Sequence, residues 1–215
     1  MPSHDVIYFV FTDSDFVHQK TKTIYQSRLG WPYDSMMRFD IYCKNADLFV
    51  DVDYLYAIDA DMIFASTVDS EILSERVATV LSVHMFDPIK PYEPNPLSTA
   101  YVHISEGRHY FAGAFYGGTK DAFMHLIEKT NERVHTDLAR GYIAWANDES
   151  HLNRYFIDMK PTKILSPSYC HFEHWSSPYE KKVIAIDDKD YAVARAPSLL
   201  NPLHYFKQEL QKTCA

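Results

Sequence analysis

The chain has 215 residues, 47 % of them hydrophobic and 23 % charged, which suits one well-buried globular domain and argues against disorder. Its net charge of −8 sets it against nucleic acid, whose phosphates it would repel unless its basic residues cluster. No uncharged apolar run approaches the ~20 residues of a membrane helix. The start, MPSHDVIYFVFTD, has an acid inside its apolar run and no basic leader, so it does not read as a signal peptide. Cys43, Cys170 and Cys214 are odd in number and widely spaced, giving neither a disulfide framework nor a Cys-x-x-Cys metal site. These features describe a soluble, reduced, cytoplasmic domain with no membrane span. Its 16 tyrosines and 13 phenylalanines suit a core and a sugar-facing surface equally.

Residues 6–12 (VIYFVFT) are β-branched and aromatic and stop at Asp13-Ser14-Asp15, which predicts a buried strand and a turn. A second extended piece is expected at 26–32, and a helix from 35 to about 49. The run 53–58 (DYLYAI) is too short for a helix and predicts a central strand buried on both faces. A small helix is expected at 70–73 and a strand at 77–85. Pro88, Pro91, Pro94 and Pro96 exclude regular structure between 87 and 98. Residues 110–116 read as a strand ending at Gly117-Gly118. After it, 121–134 is an amphipathic helix with Phe123, Leu126, Ile127 and Val134 on one stripe. A second helix covers 148–159, and late strands fall at 164–165 and 183–186. Strands alternating with helices predict an α/β domain around a mostly parallel sheet, with ligands beyond the carboxyl ends of its strands. No repeat, low-complexity tract or linker divides the chain.

Asp59-Ala60-Asp61 follows the 53–58 strand directly. In extended chain, residues two apart project to one side, so the two carboxylates converge and offer hard oxygen ligands to a magnesium or manganese ion. A turn with solvated acids fits the same tripeptide. In Asn147-Asp148-Glu149-Ser150, first-turn acids favour the helix dipole without any chemistry. Glu149 nevertheless shares a face with Leu152 and Phe156, where a carboxylate is either paired or functional. Ala112, Gly113 and Ala114 interrupt an aromatic strand and leave room either for a ligand or for tight sheet packing. Residues 170–174 (CHFEH) have no second half at zinc-like spacing and read as a solvent-facing or site-lining loop. Lys189 and Arg195 are surface charges or clamps on a diphosphate. His-Glu-x-x-His, Gly-x-Ser-x-Gly and Gly-x-Gly-x-x-Gly patterns are absent, which removes the commonest zinc-protease, serine-hydrolase and dinucleotide readings.

The segments VFTDS (10–14), GWPYDSMMRF (30–39), VDYLYAIDADMIF (52–64), HYFAGAFYGG (109–118), NDESHLNRYF (147–156) and PTKILSPSY (161–169) together resemble glycosyltransferase family 6. This is the family of the histo-blood-group A and B transferases and the α-1,3-galactosyltransferase. The segments run in family order, and the lack of an anchor is similar to its bacterial or phage branch. The resemblance implies an α/β fold of the GT-A nucleotide-diphosphosugar transferase type: a single Rossmann-like domain with a mixed central sheet. It implies retaining transfer of galactose or N-acetylgalactosamine from a UDP-sugar donor to a glycan acceptor in α-1,3 linkage, dependent on manganese, with magnesium the alternative.

By the same resemblance, Asp59 and Asp61 bind the metal, and Asp59 also the nucleotide. Phe11, Thr12, Lys189 and Arg195 complete the nucleotide site, and Glu149 is the catalytic carboxylate. Arg38, Asp148, Ala112 and Ala114 contact the donor sugar, and His84 and Trp145 the acceptor, with Trp145 one residue out of the family's register. The methyl of Ala114 crowds an N-acetyl group while the small Ala112 makes room again, leaving the donor open. The parts implied are 1–118 for nucleotide-sugar and metal, 119–186 for acceptor and catalysis, and 187–215 as a tail closing over the diphosphate. The chain begins at the strand matching the family's VFTD segment, which implies that the preceding strand and helix, part of the uridine pocket, are absent. Two other readings stand beside this one. One is a degenerate nucleotide-sugar or glycan-binding module with at most UDP-sugar hydrolysis. The other is a hydrolase using as acid and base either Asp148 and Glu149, a pair disfavoured because neighbouring helical residues diverge by ~100°, or Asp59 and Asp61.

Overall fold

The computed structural model describes residues 1–84, 87 and 90–186. The chain opens with β1 (Tyr8–Thr12) and β2 (Thr21–Tyr25), paired in parallel as a two-stranded sheet. The second strand therefore lies ahead of the expected 26–32, in a run whose β-branched threonines and isoleucine suit extended chain. The helix expected at 35–49 is three short pieces: α1 (Tyr33–Met36), α2 (Arg38–Lys44) and a 3-10 turn over Ala46–Phe49. Their buried Tyr33, Met36, Met37, Phe39 and Phe49 still belong to the main core.

The sheet that carries the site has four strands: β3 (Tyr54–Ile58), β5 (Arg76–Val80), β6 (Phe111–Thr119) and β7 (Lys163–Leu165), in the order β3-β6-β5-β7. β6 runs antiparallel to both its neighbours, and only β5 and β7 are parallel. The mostly parallel sheet predicted from alternation is thus corrected to a mixed one: among the described residues no crossover α-helix lies between β5 and β6. Two short strands escaped the sequence reading, β4 (Met62–Phe64) and β8 (His171–Phe172); with β9 (Val183–Ala185) they form a small sheet ordered β4-β9-β8. The strand expected at 77–85 ends at Val80 and gives way to a 3-10 turn over Ser82–His84.

β6 continues through Gly117 and Gly118 instead of stopping at them. A Cβ at Gly117 would sit 2.3 Å from the Leu55 carbonyl oxygen, and one at Gly118 would sit 2.0 Å from that of Glu75. The glycines are there for close backbone approach inside the sheet. α3 (Lys120–Ala139) then starts without a loop. It buries Phe123, Leu126, Ile127, Val134 and Leu138 on the face of the sheet that also meets α2 and α4 (Asn147–Asp158). Each such side chain contributes roughly 1.5–3 kcal/mol by leaving water. α3 ends where Gly141 turns left-handed (φ 72°) and Tyr142 N–H and Gly141 N–H return to the Asp137 and Leu138 carbonyls. That reversal delivers the chain to the start of α4.

The opposite face of the sheet is covered by Val68, Ile72, Tyr169 and Val183, packed on Val77, Phe115 and Leu165. One irregularity positions the site. β6 keeps register with β3 down to Phe115 opposite Ile58, but against β5 the pairing jumps from Ala78–Tyr116 to Val80–Phe111. Residues 112–115 therefore bow out of the ladder with β5, beside the end of β3.

Candidate active site

Asp59 and Asp61 lie beyond the last residue of β3, but not in extended chain. Asp59-Ala60-Asp61 is the turn from β3 to β4, closed by Met62 N–H on the Asp59 carbonyl at 3.2 Å. Its backbone is fixed from both sides: Asp59 N–H donates to Ala114 O, and Asp61 O accepts from Ile186 N–H, each at 3.0 Å. The turn, not a shared strand face, therefore orients the two acids. Asp59 Oδ1 accepts from Arg38 Nη1 at 2.8 Å.

Arg38, first residue of α2, ties three elements together. Its Nη1 also donates to Gly113 O at 3.0 Å, and its Nε lies 3.0 Å from Asp148 Oδ2 and 3.2 Å from Ser35 O. Burial works against the guanidinium charge, but Asp148 and Asp59 outweigh it and hold the group protonated well above its ordinary range.

α4 presents Asp148 and Glu149 in its first turn, entered through Asn147 in the left-handed region (φ 49°). Glu149 Oε2 accepts the Gly113 N–H at 2.7 Å, and the Tyr110 hydroxyl lies close enough to the same carboxylate to favour its charged form. A Cβ placed on Gly113 would lie 3.4 Å from Glu149 Oε2 and 3.5 Å from Asp148 Oδ2. The two neighbouring carboxylates thus meet over one residue, and the divergence argued from the helical repeat does not keep them apart. Two different side-chain lengths and the bowed strand bring them together.

Burial pushes the Glu149 carboxyl up to about 7; the Gly113 amide and Tyr110 hydroxyl pull it down, and Asp148 and Asp59 push it further up. Burial likewise raises Asp148 to about 6, with Arg38 opposing and Asp59 adding to it. Tyr110 is raised by burial and by Glu149, so its hydroxyl stays a donor. Cys170, buried nearby, is pushed up to about 12 by burial and then by Glu149, Asp59 and Asp61, which shows how far the acidic field reaches.

The remaining expected residues fall around this centre. The His84 ring meets Tyr110 edge-on at 5.3 Å, and its Nδ1 lies 2.7 Å from Asp87 Oδ2. Trp145 is 75 % exposed, yet its backbone N–H is held at 2.6 Å by the buried Glu93 carboxylate, which also accepts from Tyr142 Oη and Asn95 N–H. Ala112 is fully buried among Leu81, Tyr92, Val102, Tyr110 and Cys170, with Ala114 packed against the same cluster. It is Gly113, not Ala112, whose missing side chain opens towards the acids. Phe11 packs on Tyr42 with ring centres 5.6 Å apart, and Thr12 shares its hydroxyl with Ser14. Cys170 and His171 are buried rather than solvent-facing. Lys189 and Arg195 lie outside the described residues. Sequence reasoning missed Tyr110, Glu93 and Asn153, because the contacts that bring them to the site, with Glu149, Trp145 and Phe111 respectively, are far apart in the chain and leave no local spacing; Asn153 was visible only as part of the DESHLN string.

Among the described residues no three His, Cys, Asp or Glu side chains converge on a metal position. Asp59 and Asp61 still fit a divalent cation by donor type: hard carboxylate oxygens on one tight turn, one of them already shared with Arg38, suit an ion that completes its shell with phosphate oxygens.

A mixed sheet covered on both faces, with an acidic turn after β3 and two further carboxylates brought against β6, places the molecule among α/β proteins of the GT-A kind. The chain belongs to glycosyltransferase family 6, whose family model matches residues 1–196. Among its curated relatives, human globoside alpha-1,3-N-acetylgalactosaminyltransferase 1 is 32 % identical over 211 residues, covering 91 % of this chain and 61 % of the relative. Histo-blood group ABO system transferase 1 of Rattus norvegicus is 35 % identical over 188 residues, covering 79 % and 52 %. Glycosyltransferase 6 domain-containing protein 1 of the same species is 26 % identical over 199 residues, covering 86 % and 63 %. The chain thus spans between about half and under two thirds of these relatives' length. No described helix is long and apolar enough to cross a membrane.

Proposed function

We propose that this chain is a retaining hexosyltransferase that moves galactose or N-acetylgalactosamine from a UDP-sugar to a glycan acceptor in α-1,3 linkage. The observation that carries the reading is the meeting of Asp148 and Glu149 over Gly113, joined through Arg38 to the Asp59 turn. Membership of the family and the printed activities of the relatives supply the reaction class.

Glu149 is the catalytic carboxylate. Its anion faces the anomeric carbon, either forming a covalent glycosyl intermediate or stabilising the cationic sugar while the acceptor attacks on the leaving-group side. The Gly113 N–H fixes the carboxylate, with the Tyr110 hydroxyl nearby favouring its charged form, so little reorganisation accompanies the developing charge. Asp148 is charge-paired with Arg38 and serves to hold the sugar, not to act as a base. Ala112 and Ala114, packed on the cluster of Leu81 and Tyr110 on either side of Gly113, would act on the space for the sugar's 2-substituent through the strand path that they set, while Gly113 leaves the opening beside the acids. Asp59 and Asp61 would hold the divalent cation, manganese in this reading, which supplies charge neutralisation to the departing diphosphate. Phe11 and Thr12, with Lys189 and Arg195 of the segment following β9, complete the nucleotide site, and His84 and Trp145 bind the acceptor. The 1–118, 119–186 and 187–215 parts act as one unit, and the core running from Tyr33 to Phe156 supports this for the first two.

The test is UDP release and sugar transfer from UDP-galactose and UDP-N-acetylgalactosamine across an acceptor panel with manganese. Transfer should appear with one donor, stop on chelation and be abolished in Glu149→Gln. Donor binding without turnover would replace this reading with that of a binding module, and turnover indifferent to chelator would remove the metal role of Asp59 and Asp61.

A further inference from the structure

Asn153 lies one turn beyond Glu149 on α4 and is 1 % exposed. Among the described residues its side-chain amide bonds only to main chain. Oδ1 accepts from Phe111 N–H, Nδ2 donates to Phe111 O, and Nδ2 donates also to Glu149 O, each at 2.9 Å. An amide that takes both polar groups of one strand residue does what a neighbouring strand does.

It does so where β6 lacks that neighbour. Tyr110 O accepts from Leu81 N–H on the β5 side, so the Phe111 groups point to the other side of the ladder, towards β3. β3 has ended by then: its last registered pair is Ile58 with Phe115, and its last bond is Asp59 N–H to Ala114 O. Asn153 stands in for the missing strand. Two residues on, the bowed backbone gives Gly113 N–H to Glu149 and Gly113 O to Arg38.

We propose that Asn153 is a positioning residue: by closing the open edge of β6 at Phe111 it locks α4 against the bowed strand, so that Glu149 stays on the Gly113 amide with Asp148 beside it. The inference rests on the proposed role of Glu149 only for its effect on turnover; the locking itself is a structural statement. The groups facing the Glu149 carboxylate are Tyr110 just ahead of β6, the Gly113 amide from β6, Asp148 from α4, and the Asp59 charge from the turn after β3.

The experiment measures amide hydrogen exchange and steady-state kinetics on the whole protein, comparing wild type with Asn153→Ala and with the isosteric Asn153→Asp, whose second oxygen would face the Phe111 and Glu149 carbonyls. In wild type, the Phe111 and Gly113 amides should be protected and open together. In either variant both should exchange at least about tenfold faster while Tyr56 and Ala57 of β3 keep their rates. Well below the melting temperature kcat should fall about 100-fold, the scale of an ångström misplacement, with UDP affinity held within about threefold. A residue that merely packs would leave kcat and the Gly113 amide unchanged once the variant is folded, and that result overturns the inference. So does a wild-type Gly113 amide that exchanges freely while Phe111 is protected, a result that needs no variant to fold. Lost Gly113 protection with intact turnover leaves the locking role standing and removes Glu149 from the chemistry instead.

Discussion

Glu149→Gln should make the protein more stable above neutral pH and leave it unchanged in mild acid. The Glu149 carboxyl titrates at about 7 in the folded chain against an ordinary 4.5, the largest cause being burial. Between those values the unfolded chain has released a proton that the folded chain retains, so stability falls as pH climbs from 4.5 and the loss is complete above 7. At about 1.4 kcal/mol for each pH unit the full difference is roughly 3 kcal/mol, and water reaching the partly exposed side chain reduces it to about 1.5–3 kcal/mol. Glutamine keeps the shape, still accepts the Gly113 N–H, and carries no charge to desolvate. Urea unfolding of both proteins from about pH 5 to pH 8 reads the effect as a midpoint difference at constant m value. The gap should be near zero at the acid end, open through the sixth and seventh pH units, and level off. A gap independent of pH, or a glutamine variant less stable at the alkaline end, would refute the claim that burial opposes the Glu149 charge.

Other outcomes follow from the same geometry. Gly118→Ala should cost about 3 kcal/mol or more, because its Cβ meets the Glu75 carbonyl oxygen at 2.0 Å and backbone has nowhere to move. Gly113→Ala, whose Cβ meets the two carboxylates at ordinary contact distances, should leave the melting temperature nearly unchanged while lowering transfer; equal melting losses in the two variants would contradict the contact geometry. Arg38→Lys should lower transfer about tenfold or more, because one ammonium cannot span Asp59 and Asp148 as the guanidinium does at 2.8 and 3.0 Å; measured kcat/KM for the donor decides it. The imidazole of His151, pulled down from 6.5 to about 4 by burial with Asp137 opposing, stays neutral in the folded chain. Its contribution is complete above 6.5 and is lost as pH falls towards 4, so His151→Gln should flatten the acid side of the stability profile measured by urea unfolding.

What the sequence revealed follows the range of the interactions involved. β3 and α3 were legible because apolar patterning is a local signal: the run 53–58 is too short for a helix, and Phe123, Leu126, Ile127 and Val134 follow the helical repeat. β3 is nevertheless an edge strand of its sheet and not the central one expected. β4 and β8, three and two residues long, carry no period and exist through their pairing with β9. The helix expected at 35–49 breaks because tertiary burial of Met36, Met37 and Phe39 decides its path more than propensity does. Asp59 and Glu149 were singled out by their places at a strand end and on a helix face, and Arg38 and Asp148 by the resemblance, but the arrangement that joins them was not legible, since it depends on a register slip between β5 and β6 that no residue spacing announces.

That slip also bears on why the acids stay together at all. A regular β6 would place residues 112–115 in the ladder, where the Gly113 N–H and C=O would be engaged by strand partners instead of by Glu149 and Arg38. Glu149 would then lose its backbone donor, and its charged form would be still less favoured than a carboxyl at about 7 implies. The bow converts two backbone groups from sheet-forming into site-forming ones, and Arg38 and Asn153 supply from their side chains the bonds that the lost pairing would have made. Removing either support should therefore affect more than the bonds it makes, because both act on the same four-residue excursion. Effects of Arg38 and Asn153 substitutions on the Gly113 amide should accordingly be non-additive in a double-mutant cycle. Strict additivity would mean that the two supports hold independent pieces of structure and that the bow is not one unit.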